Sequence, residues 1–184
     1  MLFRSADRLQ LCVVDIGDGY ATPAVVGERL YLICSRGLEN EFVQALSVKD
    51  GKLIWSTRLI EQVRAANLDP RQLTIECTEQ QSVSDVGLMQ RRVRALRRLG
   101  FGFAVDDAGA GYASFALIAA LRPSVIKIDR DVVHGVSRND AKQALIEAFV
   151  SFGRRIGAHL LAEGIERRAD LAALQALGVE LGQG

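Results

Sequence analysis

The sequence predicts an α/β fold in which a partial β/α barrel follows a small antiparallel β segment, and three observations predict it. Residues 11–59 form short apolar runs punctuated by turn residues. From Leu59 onward, unbroken apolar runs of strand length alternate with stretches whose apolar residues recur at helical spacing, the pattern of a parallel sheet covered by helices. Acidic residues recur where those strands end.

In order, the first segment, residues 1–58, reads as strands at Ala24-Val25-Val26, Leu30-Tyr31-Leu32-Ile33, Phe42-Val43-Gln44-Ala45-Leu46 and Leu53-Ile54-Trp55. Gly27-Glu28 and Asp50-Gly51 punctuate them, and Asp-Gly between apolar runs signals a hairpin because both turn residues must tolerate positive φ. In the second segment, residues 59–184, Leu59, Ile60 and Val63 predict a helix that stops before Pro70, and Leu73-Thr74-Ile75 is a strand. Ser84 or Asp85 is placed to cap a helix ending at Gly100. Phe101 to Val105 is a strand, Tyr112 to Leu121 a helix, and Val125-Ile126-Lys127-Ile128 a strand. Asp140 to Ile156 follows as a helix with Leu145, Ile146, Phe149 and Val150 inward. His159 to Ala162 is a strand, Ala169 to Leu177 a helix, and Val179 to Leu181 opens a last strand. About five of the eight strands of a TIM-like barrel are thus expected.

At 49% hydrophobic and 24% charged residues, the composition is that of an ordinary globular protein. A formal net charge of +1 gives no reason to expect a nucleic-acid or membrane surface, so no DNA partner is expected. Arg91, Arg92, Arg94, Arg97 and Arg98 lie on a predicted helix with Val86, Met89, Val93 and Leu96 at helical spacing, and are read as its solvated face. Cys12, Cys34 and Cys77 are an odd set without metal-type spacing, read as buried thiols in a reducing compartment. No run of about 18 apolar residues occurs, and Met1 to Gln10 carries charges where a signal peptide needs an apolar segment. A cytoplasmic chain without a membrane span is expected.

The chemistry lies at the strand ends. Glu76 and Glu79 follow Ile75, Asp106 and Asp107 follow Val105, Lys127 and Asp129 bracket Ile128, and Glu163 and Glu166 follow Ala162. In a β/α barrel the loops after the strands gather at one face. So many converging carboxylates would raise one another's pKa unless a hard cation, Mg²⁺ or Mn²⁺, neutralised them. Such ions bind phosphoryl oxygens and generate hydroxide near neutral pH, while Lys127 supplies a positive charge for a phosphate or an attacking water.

The blocks Glu76-Cys77-Thr78-Glu79, Asp106 through Ser114, Lys127-Ile128-Asp129-Arg130, Ala162-Glu163-Gly164-Ile165-Glu166 and Gln183-Gly184 resemble, in this order, the EAL family, which hydrolyses cyclic-di-GMP to linear pGpG. The resemblance runs from about Leu59 to Gly184. It implies that Glu76 and Asp106 are metal ligands, that Asp107 serves a second metal, and that Lys127 orients the nucleophilic water. Glu163 would be ligand or general base, and Glu79 would support the loop after the Asp pair, where Gly109 and Gly111 permit tight turns. Asp129, Glu166 and Gln183 would bind substrate or support the site. Cyclic-di-GMP is the implied partner, and the family's coupling of that loop to dimerisation implies a homodimer.

Ala108 stands where that family usually has Phe, and Ala110 where it usually has Thr. No Glu-Ala-Leu tripeptide occurs in the sequence. The segment in its place resembles one blade of a quinoprotein-like β-propeller repeat, through Thr22-Pro23-Ala24-Val25-Val26-Gly27, Val43-Gln44-Ala45-Leu46 and Asp50-Gly51-Lys52-Leu53-Ile54-Trp55. Two unrelated coding pieces joined near Leu59 are therefore expected, and Met1-Leu2-Phe3-Arg4-Ser5 resembles a translated sequencing-adaptor tail. On this reading the chain is an incomplete phosphodiesterase with little turnover. The alternatives are an inactive cyclic-di-GMP-binding or interaction module, and a chimeric fragment without a function of its own.

Overall fold

The structure is a computed structural model that describes residues 18–19, 24–35, 41–78, 86–110 and 115–184. It divides into two compact units, one ending at Gln72 and the other running from Leu73 to Gly184. Among the described residues no helix is long and apolar enough to cross a membrane.

The first unit is an antiparallel sheet of β1 (Asp18–Gly19), β2 (Ala24–Val26), β3 (Arg29–Ser35), β4 (Glu41–Ser47) and β5 (Leu53–Arg58). β3, β4 and β5 are adjacent in that order, and β1 and β2 both pair with β3. Alternation puts Leu30, Leu32 and Cys34 on one face of β3. The register sets Leu30 opposite Leu46 and Cys34 opposite Phe42, and these residues form a small buried cluster. Gln44 shares that face, and its amide donates to Ser56 Oγ at 3.3 Å, which satisfies a buried polar group. Gly27 and Gly51 take φ of +59° and +70° at the two turns, while Glu28 and Asp50 stay at negative φ, so the Asp50-Gly51 pair lies within a longer connection from Ser47 to Leu53 and not in a turn with both residues at positive φ. α1 (Leu59–Ala65) and a 3-10 turn at Pro70–Gln72 belong to this unit.

The second unit holds β6 (Thr74–Thr78), α2 (Val86–Arg98), β7 (Gly102–Ala108), α3 (Phe115–Leu121), β8 (Val125–Ile128), α4 (Arg130–Val133), α5 (Asp140–Ile156), β9 (His159–Ala162), α6 (Arg168–Ala176) and β10 (Leu181–Gly182). Its five strands among the described residues are all parallel and lie in sequence order, as expected of a partial barrel. One set of alternate residues, including Phe103, Val105, Ile126, Ile128, Leu160 and Ala162, is buried. Met89, Val93 and Leu96 of α2, Ile146, Phe149 and Val150 of α5, and Leu174 of α6 are buried with them. Each fully buried Ile or Phe stabilises the fold by about 2 kcal/mol relative to an exposed one. α5 keeps the bounds that its periodicity predicts, because both ends are specified chemically. Asn139 accepts from the Lys142 amide at 3.1 Å, and Gly157 ends the helix at φ +76°.

Arg91, Arg94, Arg97 and Arg98 are exposed, as the reading of a solvated face expects, and Arg92 alone of the run departs from it. Arg92 is 4% exposed, and Arg97 donates to the Leu121 carbonyl at 3.0 Å and to the Arg122 carbonyl at the end of α3. Long aliphatic stems let such charges cross apolar surface before meeting a polar partner. The expected caps Ser84 and Asp85, and the expected first turn of α3 at Tyr112, lie outside the described residues.

Candidate metal centre and active site

Parallel topology builds this site by backbone rungs at the carboxyl ends of the strands. The Asp129 amide donates to the Ala108 carbonyl at 3.1 Å, the Glu163 amide to the Ile128 carbonyl at 3.1 Å, and the Gln183 amide to the Ala162 carbonyl at 2.9 Å. Each residue just past one strand is thus tied to the end of the strand before it.

Two neighbouring aspartates on a regular strand would face opposite ways. Here the ladder steps from Val105↔Ile126 to Ala108↔Ile128, so β7 spends one residue more than β8 over that interval. This bulge coincides with Asp107 at φ +56°, in the left-handed region that Asp tolerates better than most residues. The Asp107 amide donates to Asp106 Oδ1 at 3.1 Å. Asp106, Asp107 and Glu163 each offer a carboxylate oxygen, all within 4.8 Å of one another.

Lys127 binds this group from below the rim. Its side chain is 9% exposed, and Nζ lies 2.8 Å from Glu163 Oε1, 2.9 Å from Asp106 Oδ1 and 2.9 Å from Glu76 Oε2. Burial alone would lower the ammonium's pKa, but hydrogen bonds to Glu163, Asp106 and Glu76 and the charge of Asp106 reverse that and hold it above its ordinary value. Lys127 is a fixed cation. Asp107 is shifted up by burial and by the charges of Asp106 and Asp129, with Lys127 opposing. One ammonium against four carboxylates leaves the group short of positive charge. A compact set of hard oxygen donors with that deficit fits a hard divalent cation and not a soft metal.

The remaining residues named from the sequence take supporting positions. Glu76 is half-exposed and reaches the group through Lys127. Asp129 caps α4, its carboxylate accepting from the Asp131 amide at 2.7 Å. Gly109 sits at φ +99°, where an added Cβ would meet Val132 Cγ2 at 2.8 Å. Glu166 pairs with Arg130 at 2.6 Å. Gln183 accepts through its carbonyl from the Ile165 amide at 3.1 Å. Glu79 and Gly111 lie outside the described residues.

A family model described as the EAL domain matches residues 43–184. The chain belongs to the EAL domain family. The bifunctional diguanylate cyclase/cyclic di-GMP phosphodiesterase MucR of Pseudomonas aeruginosa is 32% identical over 130 residues, which cover 68% of this EAL chain and 19% of MucR. BlrP1 of Klebsiella pneumoniae, solved with calcium and cyclic-di-GMP, aligns at a TM-score of 0.65 and 33% identity over 68% of this chain and 32% of its own. BlrP1 has also been solved with manganese and the dinucleotide. A standalone EAL protein of Vibrio cholerae O395 in its c-di-GMP bound form aligns at 0.65 and 30% identity, over 68% of this chain and 53% of its own. This chain therefore spans between about a fifth and about half of the length of these proteins.

The EAL match begins at residue 43, inside β4, where the sequence reads Gln44-Ala45-Leu46. The Gln44 side chain is buried and bonded to Ser56. The unusual Ala108 of this EAL chain is fully buried, and its carbonyl receives the Asp129 rung. The bulge that turns Asp106 and Asp107 to one locus was not legible in the sequence. Gly109, two residues on, is the nearest signal for an irregular strand end.

Proposed function

We propose that this chain carries the carboxyl-end portion of a cytoplasmic, metal-dependent phosphodiesterase site that takes cyclic-di-GMP and yields linear pGpG, with residues 59–184 as the functional segment. The observation that carries the reading is the convergence of Lys127 on Glu76, Asp106 and Glu163, with Asp107 beside them, in a chain of the EAL domain family. In this reading Asp106, Asp107 and Glu163 hold Mg²⁺ or Mn²⁺, with Glu76 joining them as a ligand. The cation supplies charge for the phosphoryl oxygens and acidity for a bound water. Lys127 orients that water, and Glu163 accepts its proton. The water oxygen would bond to phosphorus as the P–O3′ bond breaks, and the proton taken from the water would pass to the departing 3′ oxygen, which leaves as a hydroxyl. Glu79, Asp129, Glu166, Gln183, Gly109 and Gly111 hold the surrounding loops, and the active unit is a homodimer.

Incubation of the 184-residue chain with cyclic-di-GMP and Mn²⁺, with chromatographic detection of pGpG, tests this reading. Product that disappears in Asp106→Asn supports it, and product that persists in that variant contradicts the site assignment. A second reading, binding without turnover, is favoured by one observation: no Glu-Ala-Leu tripeptide occurs in the sequence. Calorimetry separates the two, because heat of binding without product selects the second.

A further inference from the structure

Gly164, the residue that follows Glu163, is shaped around a side chain from a different strand end. Gly164 adopts φ +63°, and a Cβ placed on it would lie 2.6 Å from Cγ, 2.9 Å from Cδ and 3.0 Å from Cβ of Arg130. The Arg130 stem therefore runs across Gly164 in a space that only glycine leaves open. Beyond the stem, Arg130 Nη2 donates to Glu166 Oε1 at 2.6 Å. Arg130 itself begins α4 immediately after Asp129, whose capping bond fixes where the helix starts. On the other side of the same turn, the Ile165 amide donates to the Gln183 carbonyl. The turn from Glu163 to Glu166 is clasped from both neighbouring strands, and its first residue is the one that meets Lys127 at 2.8 Å.

We propose that Arg130 is a positioning residue for Glu163: its stem packs on Gly164 and its guanidinium holds Glu166, which keeps the turn in the form that presents Glu163 to Lys127 and to a bound cation. The inference rests on the cation-site reading given above. The Arg130–Glu166 pair is more than half exposed on both sides, so it adds little to global stability. Its effect is local. An exposed pair biases a conformer by roughly two- to fivefold, while partners that orient a metal ligand from outside the coordination sphere can change metal affinity by about tenfold or more.

The test uses the full chain and two readouts, hydrogen exchange of the amides of residues 163–166 and Mn²⁺ uptake followed by the electron paramagnetic resonance of the free ion. In Arg130→Ala the exchange of those amides rises roughly fivefold, the Mn²⁺ dissociation constant rises by a similar factor, and the thermal midpoint stays near that of the parent. The charge-swapped double variant Arg130→Glu with Glu166→Arg recovers part of both losses, which a merely structural role of either residue would not produce. Arg71→Ala, which breaks the exposed pair with Asp69 in the first unit, moves neither readout. The packing part is read by Gly164→Ala, whose cost in loop protection is smaller when Arg130 is already alanine. Unchanged exchange at residues 163–166 in Arg130→Ala overturns the proposal. Absence of Mn²⁺ uptake by the parent chain overturns the cation reading instead, and the exchange measurement still decides the clasp.

Discussion

The two sheets of this protein use the same chemistry of alternating side chains and arrive at different electrostatics. In the antiparallel unit, successive strands run in opposite directions, so the charged turn residues are dispersed to both edges. Lys52 and Asp50 pair at 3.2 Å in open solvent, the lysine side chain 83% exposed. In the parallel unit, every strand ends at the same rim, and Lys127 meets three carboxylates while 9% exposed. Strand direction, not acid content, decides whether charged residues become a site. A parallel sheet concentrates whatever follows its strands, and an antiparallel one dilutes it.

The comparison breaks first at Lys127. Lys127→Met leaves Glu76, Asp106 and Glu163 without their ammonium, and chemical denaturation without divalent ions is expected to show a loss of about 3 kcal/mol. Stability equal to the parent would mean that the rim charges are as loosely coupled as those of the first sheet. Next comes Asp170, 2% exposed, which accepts from the Ser137 hydroxyl at 2.7 Å and from the Ser137 and Gly135 amides. The Ser137 hydrogen bonds, with the Gly135 amide and the Arg167 charge, hold its carboxyl below the usual range despite burial. A depressed carboxyl gives stability that is complete above about pH 4 and is lost as pH falls through the folded value. Asp170→Asn is expected to cost about 2 kcal/mol at neutral pH and to flatten the acid limb of a stability–pH profile.

Asp107 sharpens the contrast from the opposite direction. Its raised pKa means that the folded chain holds protons more tightly than the unfolded one there, so without a cation stability falls as pH rises through the carboxylate range. Asp107→Asn keeps a residue type that tolerates positive φ, removes the repulsion, and is expected to stabilise the cation-free chain by about 1 kcal/mol while weakening Mn²⁺ uptake. A gain in stability without loss of uptake would remove Asp107 from the metal group. The smallest effect is expected in the first sheet, where Lys52→Ala should leave the thermal midpoint unchanged at both low and high salt.

Much of this contrast was legible in the residues. Val125–Ile128, His159–Ala162 and Asp140–Ile156 were read with the bounds observed, because continuous apolar runs and helical periodicity are local signals. Glu76, Asp106, Lys127 and Glu163 were legible as a group because each follows an apolar run that reads as a strand, although β6 runs on past Glu76 to Thr78 and β7 past Asp106 to Ala108. β5 runs on through Ser56-Thr57-Arg58, polar residues whose strand state comes from pairing with β4 and not from their own pattern. α4 is four residues long, too short for periodicity, and rests on the Asp129 cap. The burial of Arg92 within an arginine run, the bulge at Asp106 and Asp107 and the passage of Arg130 over Gly164 depend on contacts between distant residues. Cys77, flanked by Glu76, has its thiol pushed up to about 11 by burial and by the charge of Asp106, so it is an inert neighbour of the site.

The most direct measurement is Mn²⁺ uptake by the parent chain set against the double variant Asp106→Asn with Asp107→Asn, followed by the resonance of the free ion at neutral pH. Saturable uptake by the parent and none by the variant is the expected result. Equal uptake by both would place the cation elsewhere and contradict the convergent rim.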